Sequence, residues 1–400
     1  MAKRILVLTT EMHAKHWYRL KSFLPYISRN LQVTIVDYSN MVNNREGYRS
    51  ISESLLTLIG DPGEFLWSVD DNLITTTSFL PTDYGKLLCT PFINALLRVK
   101  LEEKHYDAIL ATPFFAGLLA LGLRHRLPVV YEDVDRFYEF YKNPFIKVTI
   151  KALEQYVIKN SDYVIAVSDI LMEEDLSLRK DKNVSLIPNG VNLELIRNIL
   201  RREPARPSPD NKALIYVGAI EEWAGIDRII EAFSLVVRRD PSMKLIIIGD
   251  IGTRYSVKII GMIKELGIKN RVFLVGRKPY EEVITYLSRA SIGIALFKPS
   301  NLTNKIMVPL KILEYSAVGL PFIASDVGSI RRIIEYYDSG LIVDYNDIED
   351  IADKILLLNT NRRLWENLSN NAKSMALDFD VRKLASREIK IIERIVEEKK

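Results

Sequence analysis

Short, largely apolar runs of three to five residues rich in β-branched side chains recur along the chain, separated by longer stretches whose apolar positions return every three or four residues. In the first half the runs are Arg4 to Leu8, Val33 to Asp37, Ala108 to Ala111, Val129 to Tyr131, Tyr163 to Val167 and Ser185 to Ile187. In the second they are Ala213 to Val217, Lys244 to Ile248, Arg271 to Val275, Gly293 to Leu296, Pro321 to Ala324 and Gly340 to Val343. Such alternation predicts an α/β chain whose parallel sheets are wrapped by helices. Residues 201–212, RREPARPSPDNK, hold three prolines among charges and predict a linker. The expected division is therefore 1–200, a linker at 201–212, a second domain at 213–375, and one charged amphipathic helix over 376–400. That helix packs on its own domain or returns to the first.

Residues 40–105 read as loops between short helices, and serve either to bind an acceptor or to cover the domain. The length of 400 residues exceeds what one core serves, so two domains are the natural prior. A net charge of +4 permits attraction to anionic lipid or phosphorylated substrates and falls short of a nucleic-acid footprint. Cys89 is the only cysteine, which excludes an intrachain disulfide and fits a reducing, cytoplasmic setting. MAKRILVLTT reads as a first strand and not as a signal peptide, and no apolar run is long enough for a transmembrane helix. Two glutamines beside abundant Ile, Lys, Arg and Glu hint at a thermophilic source.

The densest chemical signal is Pro309 to Ser325, PLKILEYSAVGLPFIAS. It sets Lys311 and Glu314 one turn apart at a helix start, stops the helix with Gly319, and resumes as a buried strand. A lysine in the first turn is repelled by the positive end of the helix dipole. A phosphate anion held by Lys311 and the backbone of Pro309, Leu310 and Lys311 would reverse that penalty. Glu314 on the same face would then reach a ribose diol; the bland alternative is an ion pair between the two. Pro309 suits the first helical position, where its missing N–H costs nothing. Tyr315 reads as a packing residue.

VVYEDVDRF places Glu132, Asp133 and Asp135 just beyond a predicted parallel strand, where open α/β sheets present ligand sites. Three acids so close repel one another, so they point to an acceptor or catalytic role or to capping of the next helix. His13 and His16 follow the first strand without metal-site spacing, and are either cleft residues on the acceptor side or ordinary histidines. No metal site is expected. Lys15, Arg19, Lys21 and Arg29 flank a stripe of Trp17, Leu20, Leu24 and Ile27, which is either core or a peripheral membrane contact.

Several passages together resemble the GT-B glycosyltransferases, in particular the retaining family 4, or group 1, enzymes. These are SDYVIAVSDILMEE, VSLIPNGVNLE, IYVGAI, KLIIIGD, RVFLVGRKPYEEVITYLSRASIGIALF and PLKILEYSAVGLPFIASDVG. The resemblance implies two Rossmann-like domains, a nucleotide diphosphate sugar as co-substrate, no resident cofactor, and a glycan or lipid-linked acceptor. Glu314 matches the second glutamate of the family's pair, but the first falls on Ile306. The family's basic pair falls on Ala219 and Ala224 of GAIEEWAG. The chain is similar to a subgroup with P-x-K-x-x-E-Y at this point. There Lys311 would meet the growing charge of the leaving diphosphate, with Arg277, Lys278, Lys298 and Lys305 as supplements. Gly276 and Arg277 fall where the family contacts the base, with a solvated turn as the alternative for Arg277. Asp135, then Asp133, matches the family's cleft-facing acid, and Gly328-Ser329 lines the donor cleft or caps a helix. The competing reading is a non-catalytic sugar-nucleotide or glycan-binding subunit. A nicotinamide-dependent oxidoreductase fits poorly, since no strand is followed by GxGxxG; a sugar-nucleotide epimerase is a better outsider.

Overall fold

The computed structural model describes residues 3–9, 18–40, 66–70, 73–78, 90–98 except 92 and 96, 105–124, 127–300 and 305–399. His13 and His16 lie outside them. The chain divides into two compact units, Met1–Pro188 with Leu384–Lys400, and Asn189–Lys383.

The first unit holds an eight-stranded sheet. Its strands are β1 (Arg4–Thr9), β2 (Gln32–Asn40), β3 (Leu66–Asp70), β4 (Leu73–Ser78), β5 (Ala108–Thr112), β6 (Val129–Asp133), β7 (Tyr163–Ala166) and β8 (Val184–Leu186), in the order β3-β4-β2-β1-β5-β6-β7-β8. All neighbours pair in parallel except β3 with β4. The loops expected throughout 40–105 are corrected here: LWSVD and LITTTS form an edge hairpin. Leu73 to Thr77 is rich in β-branched residues, which suit a pleated strand. The central strands β5 and β6 are buried along their whole length, as expected of a sheet covered on both faces.

The second unit holds six parallel strands, β9 (Ala213–Val217), β10 (Lys244–Ile248), β11 (Val272–Leu274), β12 (Ile292–Ala295), β13 (Phe322–Ser325) and β14 (Gly340–Val343). Their order is β11-β10-β9-β12-β13-β14. Alternate residues feed two cores: Leu214, Tyr216, Leu245 and Ile247 pack into one, and Ile215, Ile248, Ala295 and Phe322 into the other.

Two expected boundaries move. Leu193–Arg202 is a helix capped by Asn192, and its buried Leu193, Ile196 and Ile199 belong to the second unit's core. The division therefore falls at Pro188 and not at the proline-rich segment. The expected helix at 376–400 starts later, as Val381–Glu398, because residues 376–378 still belong to the preceding helix Arg362–Asp378. From Leu384 onward that last helix groups with the first unit. Arg387 donates to the Leu186 carbonyl at 2.7 Å, and Lys399 pairs with Asp162 at 2.9 Å. No described helix is long and apolar enough to cross a membrane.

Candidate donor site at the ends of β9 and β12

The chain runs from β9 outward to β10 and β11, then returns to the other side of β9 as β12, so the strand order reverses between β9 and β12. Open α/β sheets form ligand crevices at the carboxyl ends of such a pair. Here β12 pairs with β9 at only two positions, Ile292 with Leu214 and Gly293 with Ile215. Beyond them Tyr315 enters the gap. Its hydroxyl accepts from the Val217 N–H at 3.2 Å and donates to the Ile294 carbonyl at 3.2 Å. Gly293 makes room: a Cβ there would lie 2.6 Å from the Tyr315 ring. Tyr315 does pack, as its sequence context suggests, and it also satisfies two backbone groups that the diverging strands would otherwise leave open.

The helix that delivers Tyr315 is Leu310–Val318. Pro309 is its N-cap and not its first helical residue, and no side chain caps the start. The first-turn N–H groups therefore lack a side-chain acceptor, the arrangement that favours an anion. Gly319 ends the helix at φ 76°, in the left-handed region open to glycine.

Lys311 projects from the first turn. Its Nζ donates to the Tyr216 hydroxyl at 3.0 Å and lies 4.2 Å and 4.9 Å from the ring centroids of Tyr216 and Phe297. Tyr216 passes its own proton to the Ala219 carbonyl at 2.7 Å, which fixes the hydroxyl as acceptor toward Lys311. Among the described residues no carboxylate forms an ion pair with Lys311, so the expected bland pairing with Glu314 is not made. Burial lowers the Lys311 ammonium to about 7, against the opposing pull of Glu314. Burial likewise raises Glu314 to about 7. Among the described residues the Glu314 carboxylate has neither a hydrogen bond nor an ion pair, although its side chain is only 8% exposed. Two buried groups of opposite charge thus stand side by side without closing on each other.

The backbone around them is held open by glycine. Gly218 follows β9 at φ 143°, and a Cβ there would lie 2.8 Å from the Lys311 Nζ. Gly249 follows β10, where a Cβ would lie 2.2 Å from the Gly218 carbonyl oxygen. Gly276 follows β11 at φ 80° and accepts from the Gly249 N–H at 3.2 Å. The neighbouring cations are already paired at the surface: Arg277 with Asp250 at 3.1 Å, Lys278 with Glu282 at 3.0 Å, and Lys298 with Glu222 at 3.0 Å. Lys305 is exposed. Gly328 opens the Gly328–Tyr337 helix, and the Ser329 hydroxyl donates to the Ile306 carbonyl at 3.4 Å and does not cap it. A cavity of about 440 Å³ lies at the far end of the Leu310–Val318 helix, lined by Arg197, Arg206, Val318 and Lys373. It is on the amino side of β13 and away from Lys311.

In the first unit the acids of VVYEDVDRF behave differently. Glu132 and Asp133 are the last residues of β6 and not part of the loop beyond it. Arg19 donates to Glu132 at 2.5 Å, to Glu388 at 3.1 Å, and to the carbonyls of Ile187 and Pro188 at 3.0 Å each. Arg19 is internal, and Leu20 and Ile27 of the stripe are buried with it, so of the two readings of this stripe these residues take the core one. Asp133 pairs with Arg136, which also holds Glu174 at 2.9 Å and Asp175 at 3.2 Å. Burial, with Asp133 alongside, pushes the Asp175 carboxyl up. Asp135 is half-buried and accepts the Arg136 backbone N–H at 2.8 Å. It does not cap the Phe137–Phe140 turn that follows. Among the described residues no group of three or more His, Cys, Asp or Glu side chains is arranged to hold a metal ion.

Two family models match the halves in turn: "Glycosyltransferase Family 4" over residues 27–195 and "Glycosyl transferases group 1" over residues 198–375. The chain has the two-domain GT-B fold, and each half matches a glycosyltransferase family model. Among solved structures, sucrose-phosphate synthase from Thermosynechococcus elongatus superposes with a TM-score of 0.70 at 16% identity, covering 98% of this chain and 99% of that one. Anabaena Alr3699/HepE in complex with UDP-glucose gives 0.68 at 16% identity, over 98% and 99%. At such identities the likeness shows the fold. A curated relative, the N-acetyl-alpha-D-glucosaminyl L-malate synthase of Bacillus anthracis, is 25% identical over 229 residues, 56% of this chain and 57% of that protein. The first curated relatives are matched over only 57% to 64% of their length.

The departures from the family pattern that the sequence resembles are specific. Ala219 is exposed, Ala224 is fully buried, and Ile306 is packed at 1% exposure. Neither alanine nor the isoleucine can supply charge, whereas Lys311 stands close enough to Gly218 that a Cβ there would lie 2.8 Å from its Nζ. The platform of Tyr216 and Phe297 beneath it was not legible in sequence. On a strand buried on both faces, the order of residues does not reveal which aromatic will meet a distant lysine.

Proposed function

We propose that this GT-B chain transfers a hexose from a nucleotide diphosphate sugar to a glycan or lipid-linked acceptor, with retention of configuration and without a metal. The observation that carries this reading is the pair Lys311 and Glu314, buried at the β9/β12 switch point and closed neither on each other nor, among the described residues, on any other charge. The pyrophosphate would lie against the uncapped start of the Leu310–Val318 helix and the Lys311 ammonium. Negative charge grows there as the glycosidic bond breaks, and a fixed cation in a poorly hydrated site stabilises it. Glu314 would accept from the ribose hydroxyls. Backbone at Gly276 would border the base, and Arg277 and Lys298 would exchange their surface partners Asp250 and Glu222 for the donor. Asp135 is the acid assigned to orient the acceptor hydroxyl. Asp133 receives no chemical role, because Arg136 occupies its carboxylate. That structural neighbours include a complex with UDP-glucose supports a nucleotide-sugar donor.

A second reading has a specific observation behind it. Ala219, Ala224 and Ile306 remove three charges that the family's chemistry ordinarily uses, as a binding subunit would tolerate. Incubation with radiolabelled UDP-hexoses and GDP-hexoses, without and with an oligosaccharide acceptor, separates the two. Release of nucleotide diphosphate that disappears in Lys311→Met supports the transferase. Tight binding with no turnover of any donor supports the binding subunit, and an epimerised sugar without acceptor would overturn both.

A further inference from the structure

Among the described residues of the first unit, the large apolar side chains left exposed are Phe140, Phe145, Val148 and Tyr156. All four lie in one short stretch of sequence. Three sit on the Pro144–Asn160 helix, roughly 25 Å long at its 17 residues. At about 100° per residue, Phe145, Val148, Ala152, Tyr156 and Lys159 fall along one line of that helix. The opposite face is also apolar and is buried, through Ile150, Val157 and Ile158. A surface helix ordinarily turns polar residues outward. This one exposes Phe145 at 84%, Val148 at 69% and Tyr156 at 55%, with Phe140 at 58% just before it.

The exposed charges along residues 142–160 have one sign. Lys142, Lys151 and Lys159 are exposed, while the only acid in the helix, Glu154, points inward and accepts the Phe137 N–H at 2.7 Å. Glu139 is taken up by Lys147 at 2.7 Å. Apolar side chains ringed by lysines match a bilayer interface with anionic headgroups: the rings enter the acyl boundary and the ammonium groups stay at phosphate level. We propose that the outward face of the Pro144–Asn160 helix docks the protein on an anionic lipid surface. The inference goes beyond the donor reading and does not rest on it, since docking needs no nucleotide.

The test is co-sedimentation of the full chain with vesicles of phosphatidylglycerol and phosphatidylcholine, and with phosphatidylcholine alone, at low and high salt. Binding is expected to the mixed vesicles only and to weaken with salt. Phe145→Ser/Val148→Ser/Tyr156→Ser and, separately, Lys142→Glu/Lys151→Glu/Lys159→Glu should each lower the partition constant by about tenfold or more. All six positions are at the surface, and unchanged thermal melting confirms that each variant is folded. Absence of wild-type binding, or equal binding by both variants, overturns the proposal. Concentration-dependent self-association lost in the triple serine variant, without vesicle binding, would give the face to a second copy of the chain instead.

Discussion

At the end of β6 the carboxylates of Glu132 and Asp133 lie against Arg19 and Arg136, whereas at the end of β9 the ammonium of Lys311 meets two aromatic rings and a phenol. Both places bury ionisable groups at the carboxyl ends of central parallel strands. In the first, Arg19 and Arg136 pair with Glu132 and Asp133, and Arg136 ties β6 to the Asp169–Leu178 helix through one oxygen of Asp175, the other being buried without a hydrogen bond among the described residues. In the second, Lys311 and Glu314 remain apart although they share one helical turn. Burying charge is costly, and the cost is tolerated where partners are built in or where a ligand supplies them. The paired cluster therefore reads as structure and the open pair as a binding site.

The difference is broken most directly by removing one member from each place. Arg136→Met leaves Asp133 and Asp175 facing each other without a cation, and should cost about 3–5 kcal/mol in urea unfolding. Lys311→Met removes a buried charge that has no carboxylate against it, and stability should stay within about 1 kcal/mol or rise. Equal losses in the two variants would erase the distinction. A smaller effect is expected at the strand split. Gly293→Ala drives a Cβ into the Tyr315 ring, and Tyr315→Phe leaves the Val217 N–H without its hydroxyl. Each should lower stability by about 1–3 kcal/mol and weaken nucleotide binding as the crevice deforms.

The smallest effect is on pH dependence, and its sign follows from the two shifted groups. Folded Lys311 loses its proton near 7 while the unfolded chain keeps it to its ordinary 10.5, so this group makes stability rise with pH across that window. Glu314 holds its proton to about 7 when folded and to 4.5 when unfolded, so it makes stability fall between those values. The difference in stability between wild type and Lys311→Met/Glu314→Gln should pass through a minimum near pH 7. Affinity for a nucleotide diphosphate sugar, whose pyrophosphate stays ionised throughout, should decline above pH 7 in wild type and lose that slope in Lys311→Met. A flat difference curve would mean that neither group is desolvated.

Much of this arrangement was legible in the chain. Runs such as Leu214 to Val217 and Phe322 to Ala324 are β-branched and apolar enough to mark buried parallel strands, and PLKILEY marked its own helix start. The hairpin of β3 and β4 escaped because its threonines read as polar, and a strand at a sheet edge needs no continuous apolar run. The unit boundary escaped because proline and charge at 201–212 mark irregular chain, whereas the boundary is decided by which core takes Leu193, Ile196 and Ile199. At β6 sequence showed three acids but not Arg19, Arg136 or Glu388, the last of which lies more than two hundred residues away. Composition revealed the charges, and only the tertiary fold revealed which of them were already answered. The stripe at Leu20 and Ile27 and the one at Phe145, Val148 and Tyr156 have similar periodicity, yet the first is core and the second is exposed.

The most direct measurement is a calorimetric titration of UDP and GDP into wild type and Glu314→Ala, with and without chelator. Chelator-insensitive binding to wild type that weakens tenfold or more in the variant, about 1.4 kcal/mol or above, is the expected result. Equal binding by both proteins, or none by wild type, would contradict a donor site at the Leu310–Val318 helix.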